Sequence, residues 1–138
     1  MERLADAAQL PLPVRATDGS ACYDLAALEA VELERGRVTL VRTGLKMRPP
    51  EGTFLEVRPR SGLSTKGVLM VNAPGTVDRD YAGELCVPLT FLFEGRYRIE
   101  AGDRIGQIRL VEDHAAEFRA GEVRAVGNRA GGFGSTGR

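Results

Sequence analysis

Between Asn72 and Leu85 the chain places an amide, a carboxylate and an aromatic ring around a Pro74-Gly75 turn signal. An amide and a ring can together recognise a base, and a carboxylate can orient and deprotonate water. Two acids compete for the second role, Asp78 and Asp80, and residue type does not choose between them. A solvated turn with acids on its rim has the same composition, so other segments must supply the rest of a ligand's contacts. Arg58-Pro59-Arg60-Ser61-Gly62 offers guanidinium groups, a hydroxyl and a glycine amide, a donor set suited to phosphate. Gln107 could give its amide to the same anion, while its neighbours Asp103 and Arg104 are expected to pair with each other. The last dozen residues, Gly127 to Arg138, hold five glycines and one large apolar side chain, Phe133, followed by Ser135 and Thr136. They cannot build a core. Their composition suits a lid whose ring stacks on a base and whose amides and hydroxyls line phosphate oxygens, ordering only on a ligand.

These groups need strands to hold them. Turn signals recur about every ten residues, the rhythm of an all-β domain. Thr53 to Val57, Val68 to Val71, Leu85 to Phe93, Tyr97 to Ile99 and Arg104 to Val111 read as strands. Apolar and polar residues alternate on both sides of Arg35-Gly36, which predicts a hairpin with Val31, Leu33, Val38 and Leu40 facing the core. A second hairpin is expected around Pro74-Gly75, with proline presetting the first turn dihedral and glycine taking the positive φ after it. Pro88 predicts an edge or a bulge, because it has no N–H for a ladder. Only Ser61 to Lys66 could form a helical turn, with Ser61 as its cap.

The 138 residues fit one β domain, 1–126, followed by a flexible arm, 127–138, that closes over a site. Lys plus Arg and Asp plus Glu both number 19, so no global basic field argues for nucleic acid or an anionic membrane. The two cysteines, Cys22 and Cys86, lack metal-ligand spacing and disulfide-scaffold density, which points to a reducing compartment. With no leader-like N-terminus and no membrane-length apolar window, a cytoplasmic location is expected. The single histidine, His114, sits among acids as a surface residue, leaving zinc sites and histidine triads unsupported.

Five stretches, in order, resemble the motifs of the trimeric deoxyuridine triphosphate nucleotidohydrolases, the dUTPases. They are Gly19-Ser20-Ala21-Cys22-Tyr23-Asp24-Leu25, then Pro59-Arg60-Ser61-Gly62-Leu63, then Gly75-Thr76-Val77-Asp78-Arg79-Asp80-Tyr81-Ala82-Gly83, then Gly102-Asp103-Arg104-Ile105-Gly106-Gln107, and finally Gly131-Gly132-Phe133-Gly134-Ser135-Thr136-Gly137. Ordered motifs at compatible spacing are far more specific than a glycine-rich tail alone. The resemblance implies a distorted jelly-roll or β-barrel-like fold, and hydrolysis of dUTP to dUMP and pyrophosphate with Mg²⁺. It makes Asp78 the base that activates water against the α-phosphorus, and Asp24 an acid that holds the magnesium shell through water. Arg60, Ser61, Gly62 and Gln107 become phosphate contacts, with Ser61 near the oxygen bridging the α and β phosphorus atoms. Asn72 and the backbone of Thr76, Val77 and Asp78 become the uracil pocket, bordered by Cys86. Tyr81 packs under the sugar and Phe133 stacks on the base, while Arg129, Gly134, Ser135 and Thr136 belong to the closing arm. Family members of this type are homotrimers whose sites draw on three chains.

Departures from the pattern are Cys22 for a usual glycine, Phe91 for a common asparagine, Pro88 in the strand after the third motif, and an arm arginine one residue closer to the aromatic. Asn128 holds the usual arginine position; Arg129 can serve after a one-residue shortening, and Arg138 is a second candidate for the γ-phosphate. The related dCTP deaminases need a catalytic glutamate where this chain has Pro88, which cannot move a proton. A dUTP-binding sensor that signals through its closed arm is the remaining alternative.

Overall fold

The computed structural model describes residues 1–123, so the expected arm and the boundary at 126/127 lie outside the described residues. The chain builds two larger sheets. Strands β2 (Tyr23–Ala26), β6 (Thr53–Arg58), β8 (Gly75–Val77) and β11 (Arg104–Glu112) form one sheet in the order β2-β11-β6-β8. Strands β4 (Thr39–Arg42), β7 (Val68–Met70) and β9 (Cys86–Phe91) form the other, with β9 central. Two small pairs join β1 (Glu2–Arg3) to β5 (Leu45–Lys46) and β3 (Val31–Glu34) to β10 (Arg96–Ile99). All named pairings are antiparallel, and one hydrophobic core draws Leu25, Leu55, Val57 and Ile108 from the first sheet and Val41, Val87 and Leu89 from the second. The architecture is the all-β, jelly-roll-like one expected. Among the described residues no helix is long and apolar enough to cross a membrane.

The hairpin expected across Arg35-Gly36 does not form. β3 pairs with β10 and β4 with β9, so the two alternating runs separate at the turn. Leu33 is fully buried, but Val38 and Leu40 are 53% and 65% exposed, because the inward residue of β4 is Val41. Alternation says which residues share a face; it does not say which strand lies beside them.

The segment around Pro74-Gly75 also differs from a tight hairpin. β7 and β9 do pair, Val68 with Phe91 through Met70 with Leu89, but the chain between them crosses to the other sheet and lays β8 along β6. Gly75 is therefore a buried strand residue without a positive φ, and the Ala73-Pro74 bond before it is cis. Pro88 sits in the central strand with no register shift there, where an edge or a bulge was predicted. Its carbonyl accepts the Val71 N–H at 3.1 Å, so its missing donor lies on the β7 side. β7 ends at Met70, and there the ladder needs no donor from Pro88.

Candidate active site

The phosphate-binding candidates meet at one end of the four-stranded sheet. Register places Asp24 opposite Gln107 and Gln107 opposite Arg58, a row across three strands. Arg104 and Gln107 are an odd number of residues apart and would face opposite ways on a regular strand. A register shift between Arg104 and Gly106 inserts Ile105, a β-bulge that returns Arg104 to the face of Asp24. These side chains, with Arg60, Ser61, Gly62 and Cys22, line a cavity of about 440 Å³. Arg60 forms an ion pair with Asp24, Nε to Oδ1 at 3.0 Å, and Arg104 Nη1 donates to Asp24 Oδ2 at 3.2 Å. The Asp103–Arg104 pair expected from sequence is absent: Arg104 turns to Asp24, and Asp103 Oδ2 accepts the Glu100 N–H at 2.9 Å.

Just beyond β6, Pro59 ends the strand and Ser61–Ser64 forms a short helix, α1. Arg60, not Ser61, takes the cap position, extended at φ −98° and ψ 128°. Ser61 and Gly62 thus lead the helix, with N–H groups that the helical ladder does not use. Gln107 Nε2 donates to the Pro59 carbonyl at 3.0 Å, and Arg60 Nη1 to the Arg104 carbonyl at 3.2 Å, which lock this turn to β11. Arg60 and Arg104 flank Asp24, and Arg58, paired with Glu56, also lines the wall, so the cavity offers guanidinium groups to a polyphosphate.

The base-binding candidates collect elsewhere. Asn72, Thr76, Val77, Asp78, Tyr81 and Cys86 line a second cavity, about 350 Å³, floored by Val57, Met70, Leu85 and Pro88. It lies where the excursion between β7 and β9 crosses from sheet to sheet. Gly75 leaves room for Asn72: a Cβ would stand 2.9 Å from its Nδ2, and the amide would have to shift. Tyr81 closes a short loop, its N–H donating to the Asp78 carbonyl at 3.2 Å and its hydroxyl to the Glu84 carbonyl at 2.8 Å. Burial pushes the Cys86 thiol up, and the neighbouring Glu84 charge adds to the shift. Asp78 is exposed and also lines a neighbouring cavity with Glu51, Arg79 and Asp113.

No residue lines both the base-binding and the phosphate-binding cavity. Sequence reasoning missed Glu84 and Leu40 on the base cavity and Arg104 on the phosphate cavity's wall. Leu40 carried a misleading signal, since its alternation assigned it to the core. Arg129, Phe133, Gly134, Ser135 and Thr136 fall outside the described residues. Among the described residues, no three His, Cys, Asp or Glu side chains cluster as a metal cage.

Comparison with known proteins meets this geometry. The family model for dUTPase matches residues 8–137. A deoxyuridine 5'-triphosphate nucleotidohydrolase of Anaeromyxobacter sp. is 47% identical, over 94% of this chain and 89% of its own. One of Solibacter usitatus is 41% identical, over 100% of this chain and 95% of its own. The solved dUTPase of Staphylococcus bacteriophage 80alpha with dUpNHpp superposes with a TM-score of 0.84 at 27% identity, covering 99% of this chain and 96% of that one. A chain matched along nearly its whole length by that model and those relatives belongs to the dUTPase family.

Proposed function

We propose that this chain is a dUTP diphosphatase, hydrolysing dUTP to dUMP and pyrophosphate in the cytoplasm. The observation that carries the reading is the division of its polar groups. One cavity offers an amide, a carboxylate and a ring, and the other offers guanidinium groups, a hydroxyl and free amides. A nucleoside triphosphate needs both sets.

Asp78 takes a proton from a water molecule, whose oxygen forms a bond to the α-phosphorus as the bond to the bridging oxygen breaks. The electron pair of the broken bond leaves with pyrophosphate. Arg60, Ser61, Gly62 and Gln107 stabilise the charge that gathers on this leaving group. Asn72 and the backbone of Thr76 and Val77 hold uracil beside Cys86, and Tyr81 supports the deoxyribose. Exclusion of cytosine follows from hydrogen-bond pattern, because its exocyclic amine presents a donor where uracil presents an acceptor.

The donor set fits magnesium bound in the outer sphere. Mg²⁺ commonly keeps several waters and takes one or two carboxylates with substrate phosphates, and Asp24 supplies a half-buried carboxylate facing the phosphate cavity. Bound there, the ion would neutralise charge on the triphosphate. Asp24 would orient its waters once Arg60 turned from Asp24 to phosphate.

A homotrimer explains why the two cavities are separate. The base cavity of one chain would meet the phosphate cavity of a second, and the arm 127–138 of a third would close over them. Within that arm, Phe133 would cover the base, with Arg129, Gly134, Ser135 and Thr136 on the phosphates. Deamination of dCTP is disfavoured because the cavity wall presents Pro88, a residue with no proton to transfer.

The test measures pyrophosphate release from dUTP, dCTP, dTTP and UTP by the intact chain, by Asp78→Asn and by a chain ending at Gly127. Turnover restricted to dUTP is expected, with a loss of about 10²–10⁴-fold in Asp78→Asn and a large loss on truncation. Equal turnover of all four nucleotides, or full activity in Asp78→Asn, would overturn the reading.

A further inference from the structure

We propose that Arg42 is a positioning residue for Tyr81 at the base cavity, acting through Glu84 and braced from behind by the N-terminal turn. The proposal rests on the dUTPase reading above. Arg42 Nε donates to Glu84 Oε2 at 3.0 Å, and Arg42 Nη2 donates to Asp6 Oδ2, also at 3.0 Å. The second oxygen of Glu84, Oε1, accepts the Gly44 N–H at 2.9 Å. The carboxylate oxygens are thus tied to the end of β4 and to the turn that joins it to β5. The main chain of Glu84 faces the other way, its carbonyl accepting the Tyr81 hydroxyl. One residue therefore connects the scaffold to the ring.

The anchor behind it is well packed. Gly44 has φ +70°, and a Cβ there would come within 2.2 Å of the Ala7 Cβ. Its carbonyl accepts the Leu4 N–H at 2.8 Å, which seats the N-terminal turn (Ala5–Ala7) on the same residue that holds Glu84. One residue further on, Leu85 gives its N–H to the Leu45 carbonyl at 2.8 Å and accepts the buried Thr43 hydroxyl at 2.6 Å. The loop's exit from the cavity is fixed by these bonds.

Charge gives Arg42 its particular role. Glu84 lines the base cavity with 19% of its side chain exposed, whereas Arg42 is not among the lining residues. Without Arg42, an unbalanced carboxylate would face the part of the site that must accept an anionic nucleotide. The carboxylate would then repel the ligand or swing toward water, dragging the Tyr81 contact with it.

The test compares full-length wild type, Arg42→Met, Glu84→Gln and the double variant, using dUMP binding by calorimetry and steady-state turnover of dUTP. Arg42→Met is expected to weaken dUMP binding and raise the KM for dUTP about tenfold each, the scale of one charge-assisted contact. Its kcat should stay within about twofold, as for a loss of ground-state binding. Glu84→Gln should cost much less, because its amide oxygen still accepts the Gly44 N–H. In the double variant most of the loss should be recovered, since no stranded charge remains. Wild-type dUMP affinity and KM in Arg42→Met would overturn the proposal, as would a double variant no better than Arg42→Met. Asp6→Asn leaves the Arg42–Glu84 contact in place and should move both values the same way by a few-fold. Should Arg42→Met not fold, unchanged values in Asp6→Asn would overturn the proposal instead. A wild-type chain that released no pyrophosphate from dUTP would overturn the functional reading and this proposal together, whereas failure of Arg42 alone would appear on a wild type that turns dUTP over.

Discussion

Tyr81 owes its place to a side chain that is missing two residues later. A Cβ on Gly83 would stand 2.5 Å from the Tyr81 hydroxyl oxygen and 2.6 Å from Cζ, so only glycine lets the ring lie across the loop and reach the Glu84 carbonyl. Gly83→Ala is expected to displace the ring and to lower the preference for dUTP over UTP about tenfold, read as the ratio of their kcat/KM values. Gly83 lies in a half-exposed loop outside the hydrophobic core, so thermal stability should change little. An unchanged ratio would remove Tyr81 from the sugar contact. Gly75 serves Asn72 similarly, but its role was misjudged from sequence. Proline-glycine suggests a turn that needs a positive φ, while the residue leaves room for an amide. Local sequence reports backbone freedom more readily than it reports what another side chain will lie against.

At the scale of elements, the strands were legible and their partners were not. Alternation located β6, β9 and β11 to within a residue or two, because in each a run of buried residues alternates with less buried ones. It misassigned Leu40, since a strand leaving one sheet for another alternates in the same way. Arg104 was missed as a site residue because a bulge leaves no local composition signal in this motif, and the Arg42–Glu84 contact because its partners stand 42 residues apart. The outer face of the four-stranded sheet holds another cross-strand cluster. Glu56 accepts hydrogen bonds from Arg58 and, at 2.9 Å, from Arg109 Nε. Arg58, followed by Arg109, holds the Glu56 carboxyl below the usual carboxylate range despite partial burial. A carboxyl with a depressed folded pKa contributes stability that is present above its unfolded pKa and is lost as pH falls through the folded value. Thermal melts should therefore fall more steeply for wild type than for Glu56→Gln between about pH 5 and pH 3. Parallel curves would show that the cluster does not couple protonation to folding.

For the whole molecule, the separation of the two cavities has a consequence for mixed assemblies. If a working site takes Asp78 from one chain and Arg60 from another, Asp78→Asn and Arg60→Ala chains should be inactive alone and active together. After subunit exchange at equal amounts, about one site in four would combine an intact Asp78 with an intact Arg60, giving about a quarter of wild-type activity. No recovery in a mixture shown by native mass spectrometry to contain mixed trimers would place both groups on one chain. The cysteines turn the same separation into an optical measurement. The chain has two, and each borders a different cavity: Cys22 the phosphate cradle and Cys86 the base cavity. Thiol labelling can therefore footprint the halves of the site independently without an introduced probe. Deoxyuridine should slow labelling of Cys86 alone, pyrophosphate that of Cys22 alone, and an uncleavable dUTP analogue that of both. The order in which the two thiols become protected would give the order in which base and phosphates dock.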